Sequence, residues 1–180
     1  MIPEKLDYAK EACIHASEIL LKKFENQKNL KTWFKEKGAL VTEADIASDN
    51  KIREILLTSK LGSEILSEES KFNATQLNEY KWLVDPLCGT VPYSMGLPHW
   101  GVSVSLIKKD NPYLGVLSLP ALKEMIWNDE KGNVYRNDEI LNINPQFPNI
   151  KELTIGLEID GGDNWSSLES SFFKKLNKIG

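Results

Sequence analysis

The chain has 180 residues, 41% of them hydrophobic, 27% charged and 9% aromatic, the balance of an ordinary globular protein and not of a disordered or fibrous one. A chain of this length buries roughly 70% of the surface its unfolded form exposes, so a core needs no disulfide or metal staple and a mini-protein scaffold is excluded. Lysine and arginine number 22 against 26 aspartates and glutamates, a formal charge of −4, which argues against a broad footprint for nucleic acid or anionic membrane and points to small molecules or proteins as partners.

Cys13 and Cys88 lie far apart and fit neither a disulfide framework nor a metal knuckle, the usage of a reduced compartment, so a cytoplasmic location is expected. The start, Met1 to Asp7, lacks the basic and apolar regions of a leader, and no run approaches the ~18 apolar residues of a membrane helix.

From Pro3 to Phe24, Leu6, Ala9, Cys13, Ala16, Leu20 and Phe24 recur in steps of three and four, which predicts a helix with one core-facing stripe. Leu30 to Lys35 reads as a short strand closed by a turn at Glu36-Lys37-Gly38. Thr42 and Asp45 form a helix-start signal of the capping-box kind, and Ile52, Ile55 and Leu56 continue an apolar stripe to about Ser59. Beyond residue 62 short β-rich runs are predicted at Glu64 to Leu66, Trp82 to Val84, Val102 to Ile107, Tyr113 to Leu117 and Glu124 to Trp127. Lys108 to Pro112 and Asn128 to Asn133 read as hairpin connections. Leu153 to Ile159 reads as a further strand and Trp165 to Ile179 as an amphipathic helix. With no repeat and no clear linker, residues 1–180 are expected to form a single α+β domain, with two N-terminal helices on a largely antiparallel sheet.

Acidic residues fall where these elements begin or end: Asp45 at a helix start, Glu68 and Glu69 after a strand, and Asp85 after Trp82-Leu83-Val84. Asp85 leads into the turn Pro86-Leu87-Cys88-Gly89-Thr90, where Gly89 lets the backbone approach a ligand. A helix starting there would offer free N–H groups to an anion such as phosphate. Carboxylates beside such a turn suit a hard divalent cation, because Mg²⁺ prefers oxygen ligands and keeps waters that can act as nucleophiles.

Three segments in this order, Leu40-Val41-Thr42-Glu43-Ala44-Asp45, Ile65-Leu66-Ser67-Glu68-Glu69-Ser70 and Trp82-Leu83-Val84-Asp85-Pro86-Leu87-Cys88-Gly89-Thr90, resemble the inositol monophosphatase family of magnesium-dependent phosphomonoesterases. Leu97 to Leu106 and Gly115 to Pro120 are similar to that family's following strands. The resemblance implies a layered α/β sandwich and hydrolysis of a small phosphomonoester, an inositol, sugar or nucleotide phosphate, by a commonly homodimeric enzyme. It implies Glu68, Asp85 and the Leu87 carbonyl as ligands of the main Mg²⁺, and Asp45 as holder of a further metal or its water. Thr90, with Glu68, would orient the attacking water, and the Gly89 and Thr90 N–H groups would cradle phosphate. Lys35 falls near a basic position of a family loop.

The chain departs from the family pattern W-x-x-D-P-x-D-G-T-x-N-F in two places. Cys88 stands where the pattern has its second aspartate, which removes a charge and puts a soft thiol in the site. Val91-Pro92-Tyr93 follows Gly89-Thr90 in place of x-N-F, and Pro92 has no N–H. Family members also continue into a further α/β part with a W-D motif, so the C-terminal part is expected to be missing here and the metal site to be weakened. The alternatives are a non-catalytic relative that binds a phosphorylated ligand or a partner, and a fragment of an active phosphatase.

Overall fold

A computed structural model of the chain describes residues 5–35, 39–59, 64–69 and 79–142. The chain divides into a compact unit over Met1–Leu141 and a second over Asn142–Gly180. All described residues except Asn142 lie in the first unit. The expected turn at Glu36-Lys37-Gly38, the strand at Leu153 to Ile159 and the helix at Trp165 to Ile179 lie outside the described residues.

Helix α1 spans Lys5–Phe24 and buries Ala9, Cys13, Ala16 and Leu20 from the predicted stripe. Leu6 and Phe24, at its ends, are half-buried against the same core. Strand β1 (Thr32–Phe34) pairs antiparallel with β2 (Leu40–Thr42), which delivers the chain to helix α2 (Glu43–Leu56). The expected capping box is formed: Thr42 accepts from the Ala44 N–H at 3.0 Å, and Asp45 accepts from the Thr42 N–H at 2.9 Å. A tight turn of helix at Leu57–Ser59 completes this segment.

The seven strands β3 (Ile65–Ser67), β4 (Tyr80–Cys88), β5 (Gly101–Lys108), β6 (Asn111–Leu119), β7 (Glu124–Asn128), β8 (Val134–Arg136) and β9 (Glu139–Ile140) form one sheet in sequence order. Among the described residues only β3 and β4 pair parallel; the other neighbours are antiparallel, so the fold is α+β with a largely antiparallel sheet. Register stacks Ile65, Trp82, Leu106 and Leu114 in one cross-strand row and Val84, Val104 and Val116 in the next. All seven are buried and form one core with the apolar faces of α1 and α2. On α1, the Ser17 hydroxyl hydrogen-bonds Ser118 of β6 at 2.9 Å, satisfying two buried polar groups where helix meets sheet.

Strand β4 is longer than predicted. It runs through Asp85 and Pro86 to Cys88, and its register against β5 shifts between Asp85 and Cys88. Such an irregularity accommodates a proline, which cannot donate to a regular ladder. The connection between β5 and β6 turns on Lys109 and Asp110, with φ of 48° and 63°, as a two-residue hairpin of matching twist requires. The hairpin joining β8 and β9 repeats this at Asn137 and Asp138 and was not predicted.

Candidate functional site

Three elements meet at the C-terminal ends of β3 and β4. Ser67 lies opposite Val84 in the parallel pair, so the next residues, Glu68 and Asp85, emerge at adjoining positions. The Glu68 N–H donates to the Val84 carbonyl at 3.2 Å and fixes that register. The end of β4 turns at Gly89 into helix α3 (Thr90–Ser94), the helix that the sequence allowed for. Gly89 has a φ of 87°, and a Cβ there would lie 2.7 Å from the His99 carbonyl oxygen. Tyr93 anchors α3 to α1, its hydroxyl donating to the Leu20 carbonyl at 2.7 Å.

Asp45, only 2% exposed, joins the start of α2 to this turn. Its Oδ2 accepts from the Thr42 hydroxyl at 2.6 Å and its Oδ1 from the Thr90 hydroxyl at 2.9 Å. The Thr90 hydroxyl also lies 3.2 Å from the Leu87 carbonyl, which shares its proton. Lys35, just beyond β1, sets its Nζ 2.5 Å from Glu69 Oε1 and 4.0 Å from Glu68 Oε1. The Glu69 side chain is buried and that of Glu68 is 58% exposed.

Negative charge exceeds positive charge among these groups. Burial raises the Glu68 pKa, the charge of Asp85 raises it further, and Lys35 opposes both. Burial also raises Glu69, against its hydrogen bond to Lys35. Asp85 is raised by burial, opposed by hydrogen bonds from the Cys88 thiol and the Leu87 N–H, and raised again by the charges of Asp45 and Glu69. Asp85 Oδ1 is buried without a hydrogen-bond partner. An orphaned carboxylate oxygen within a cluster of mutually repelling carboxylates is an arrangement that a cation would relieve.

Among the described residues, no group of three or more His, Cys, Asp or Glu side chains is placed to hold a metal ion. Two carboxylates and a backbone carbonyl, from Glu68, Asp85 and Leu87, would need no third such side chain, since Mg²⁺ usually keeps several waters and takes one or two carboxylates. These hard oxygen donors fit Mg²⁺, whereas the exposed thiol of Cys88 does not. The positions singled out in the sequence thus gather in one place, joined by direct bonds or by mutual charge. Ser48, Asp49 and Ser67 also bond into it and were missed. Their one sequence signal is the spacing of Ser48 and Asp49, three and four residues after Asp45.

Two helices on a largely antiparallel sheet, with carboxylates gathered at the ends of a parallel strand pair, define an α+β protein with an acidic site at one end of its sheet. The sequence model of the Inositol monophosphatase family matches residues 3–178, and the chain belongs to that family. It is 31% identical over 140 residues to the fructose-1,6-bisphosphatase/inositol-1-monophosphatase of Aquifex aeolicus, covering 77% of this chain and 52% of that protein. It is 29% identical over 133 residues to the inositol-1-monophosphatase of Mesorhizobium japonicum, covering 74% of this chain and 50% of that one. The chain therefore spans about half the length of these curated relatives. The solved extragenic suppressor protein suhB of Bartonella henselae shares the fold, with a TM-score of 0.73 at 23% identity over 78% of this chain and 55% of that one. Among the described residues no helix is long and apolar enough to cross a membrane.

Proposed function

We propose that the chain carries the cation- and phosphate-binding face of a Mg²⁺-dependent phosphomonoesterase acting on a small phosphorylated metabolite. The observation that carries this reading is the Thr90 hydroxyl held between Asp45 and the Leu87 carbonyl, with Asp45 and Asp85 both acting on the charge of Glu68. Glu68, Asp85 and the Leu87 carbonyl would hold the main cation, and Asp45 a further cation or its water. A bound Mg²⁺ polarises phosphoryl oxygens and makes its water more acidic. Glu68, more than half exposed at the end of β3, would with Thr90 orient the attacking water and accept its proton. Asp45 takes the Thr90 hydroxyl proton, which leaves the lone pairs of that oxygen to orient the water. The first N–H groups of a helix have no partner inside it, and at Gly89 and Thr90 they would receive the phosphate oxygens.

Cys88 replaces the aspartate of the family pattern and bonds Asp85 instead of adding a hard oxygen, so this reading includes weakened cation affinity. The names of the relatives make inositol 1-phosphate and fructose 1,6-bisphosphate the first substrates to try. The test is Mg²⁺-dependent phosphate release from these compounds and from nucleotide phosphates, with Glu68→Gln expected to abolish it. Release that is absent, or that depends on neither Mg²⁺ nor Glu68, overturns the catalytic reading. A second reading, a non-catalytic relative that only binds such ligands, is favoured by the Cys88 thiol in the site. It predicts ligand binding without turnover, and turnover gained in Cys88→Asp.

A further inference from the structure

We infer that one face of α2 is a template that sets the spacing of the cation-facing segments, with Ser48 and Asp49 as its positioning residues. The inference rests on the reading of Glu68, Asp85 and Leu87 as cation ligands. Asp45, Ser48 and Asp49 stand at i, i+3 and i+4 and share one side of the helix. All three are buried, at 2%, 0% and 6% exposure. Each reaches a different piece of the site. Asp45 takes the Thr90 hydroxyl at 2.9 Å. The Ser48 hydroxyl donates to the Pro86 carbonyl at 2.6 Å, between Asp85 and Leu87. Asp49 Oδ1 accepts from the Ser67 hydroxyl at 2.5 Å, directly before Glu68.

The chemistry of these contacts is more than packing requires. Burying a hydroxyl or a carboxylate is unfavourable unless every polar atom is matched, and an apolar side chain would fill the same space without that cost. Asp49 is matched on its second oxygen by Arg53, one turn along the helix, at 2.8 Å. The charge is therefore balanced within α2, and Oδ1 is left for Ser67. Ser67 in turn stands 3.4 Å from the Glu69 N–H as its acceptor, extending the chain of bonds past Glu68. Pro86 brings no N–H to the sheet, and the Ser48 bond holds this part of β4 from the helix side where the register against β5 breaks. Two strand ends and a helix start, lying 18 to 45 residues from their partners on α2, are thus tied to one rigid element at positions no more than one residue from the groups that would face the cation. Groups that orient metal ligands are commonly worth 10- to 100-fold in affinity.

The test uses the full chain, with Mn²⁺ as a calorimetric and paramagnetic probe, and amide hydrogen exchange as a readout independent of metal. Asp49→Ala is expected to weaken Mn²⁺ binding by about 10- to 100-fold and to lose exchange protection at Glu68 and Glu69, with the β5 and β6 pairing unchanged. Asp49→Asn keeps an acceptor for Ser67 and should recover most of both. Ser48→Ala should loosen Leu87 and Cys88 in the same local way. Should Asp49→Ala fail to fold, Ser67→Ala removes the other end of the same bond and is expected to give the same local loss. Wild-type Mn²⁺ affinity and wild-type protection in the folded variants overturn the template, as does a loss of protection spread evenly over the sheet. A wild-type chain that binds no divalent cation overturns the ligand reading alone, and the exchange pattern still decides the template.

Discussion

At Gly89 the backbone holds a φ of 87° while the position of an absent Cβ lies 2.7 Å from the His99 carbonyl oxygen. Left-handed backbone at a residue with a side chain costs about 1–3 kcal/mol, and here the obstacle is backbone that cannot swing aside. Gly89→Ala should therefore lower stability by at least that amount, seen as a lower urea midpoint, and a wild-type midpoint would contradict the geometry. Cys88, the residue before it, tests the proposed cation site. Its thiol bonds Asp85, so Cys88→Asp places a second carboxylate beside one whose pKa is already raised. The metal-free variant should melt lower than the wild type, because like charges oppose one another, while its Mg²⁺ affinity should rise by about tenfold or more, ~1.4 kcal/mol. Calorimetry and melting curves measure both, and unchanged Mg²⁺ affinity would place residue 88 outside the cation's reach.

Among the elements, α2 links local sequence to the site most directly. The Thr42 hydroxyl satisfies the Ala44 N–H and donates to Asp45, so Thr42→Ala should cost about 1 kcal/mol as a lost cap and also leave the carboxylate that holds Thr90 with only the backbone N–H of residue 42 behind it. Chemical denaturation measures the first effect, and a loss of stability below ~0.5 kcal/mol would deny the cap its role. The cap was legible in the sequence because its spacing is local, as were the apolar stripes of both long helices and the alternation of Val102, Val104 and Leu106. The extent of β4 was not, because Pro86 reads as a stop until the irregular pairing with β5 is seen. The β8 and β9 hairpin escaped because its strands are short and largely exposed, leaving little alternation to read. In the site, residues at element edges announced themselves, whereas Ser48 and Asp49 lie inside a helix, where no turn or motif marks them. Their partners, Pro86 and Ser67, lie 38 and 18 residues away, a distance at which sequence spacing says nothing.

For the whole molecule, the acidic site couples stability to pH. Glu68, Glu69 and Asp85 have pKa values raised first by burial, with Lys35 opposing the shift at the two glutamates and the Cys88 hydrogen bond opposing it at Asp85. Each holds its proton to higher pH in the folded chain than in the unfolded one, so between the ordinary carboxylate value, about 4, and the raised values the folded state binds more protons. Stability from these groups therefore falls as pH rises through that window. Asp129 and Glu130 are lowered instead, chiefly by hydrogen bonds from Asn133 and Tyr113; their contribution is lost only as pH falls through and below the ordinary value, which leaves the upper window to the site. Without metal, the melting temperature should decline as pH rises above the ordinary carboxylate value, about 4, and Asp85→Asn should flatten that decline. Added Mg²⁺ should raise the melting temperature more near neutrality than in acid, because it competes with protons for the same oxygens. Melting curves across pH, with and without Mg²⁺, measure both effects. A slope in Asp85→Asn as steep as in the wild type would place the charge penalty outside this cluster. A Mg²⁺ effect equal at every pH would mean that the cation binds away from the carboxylates that titrate.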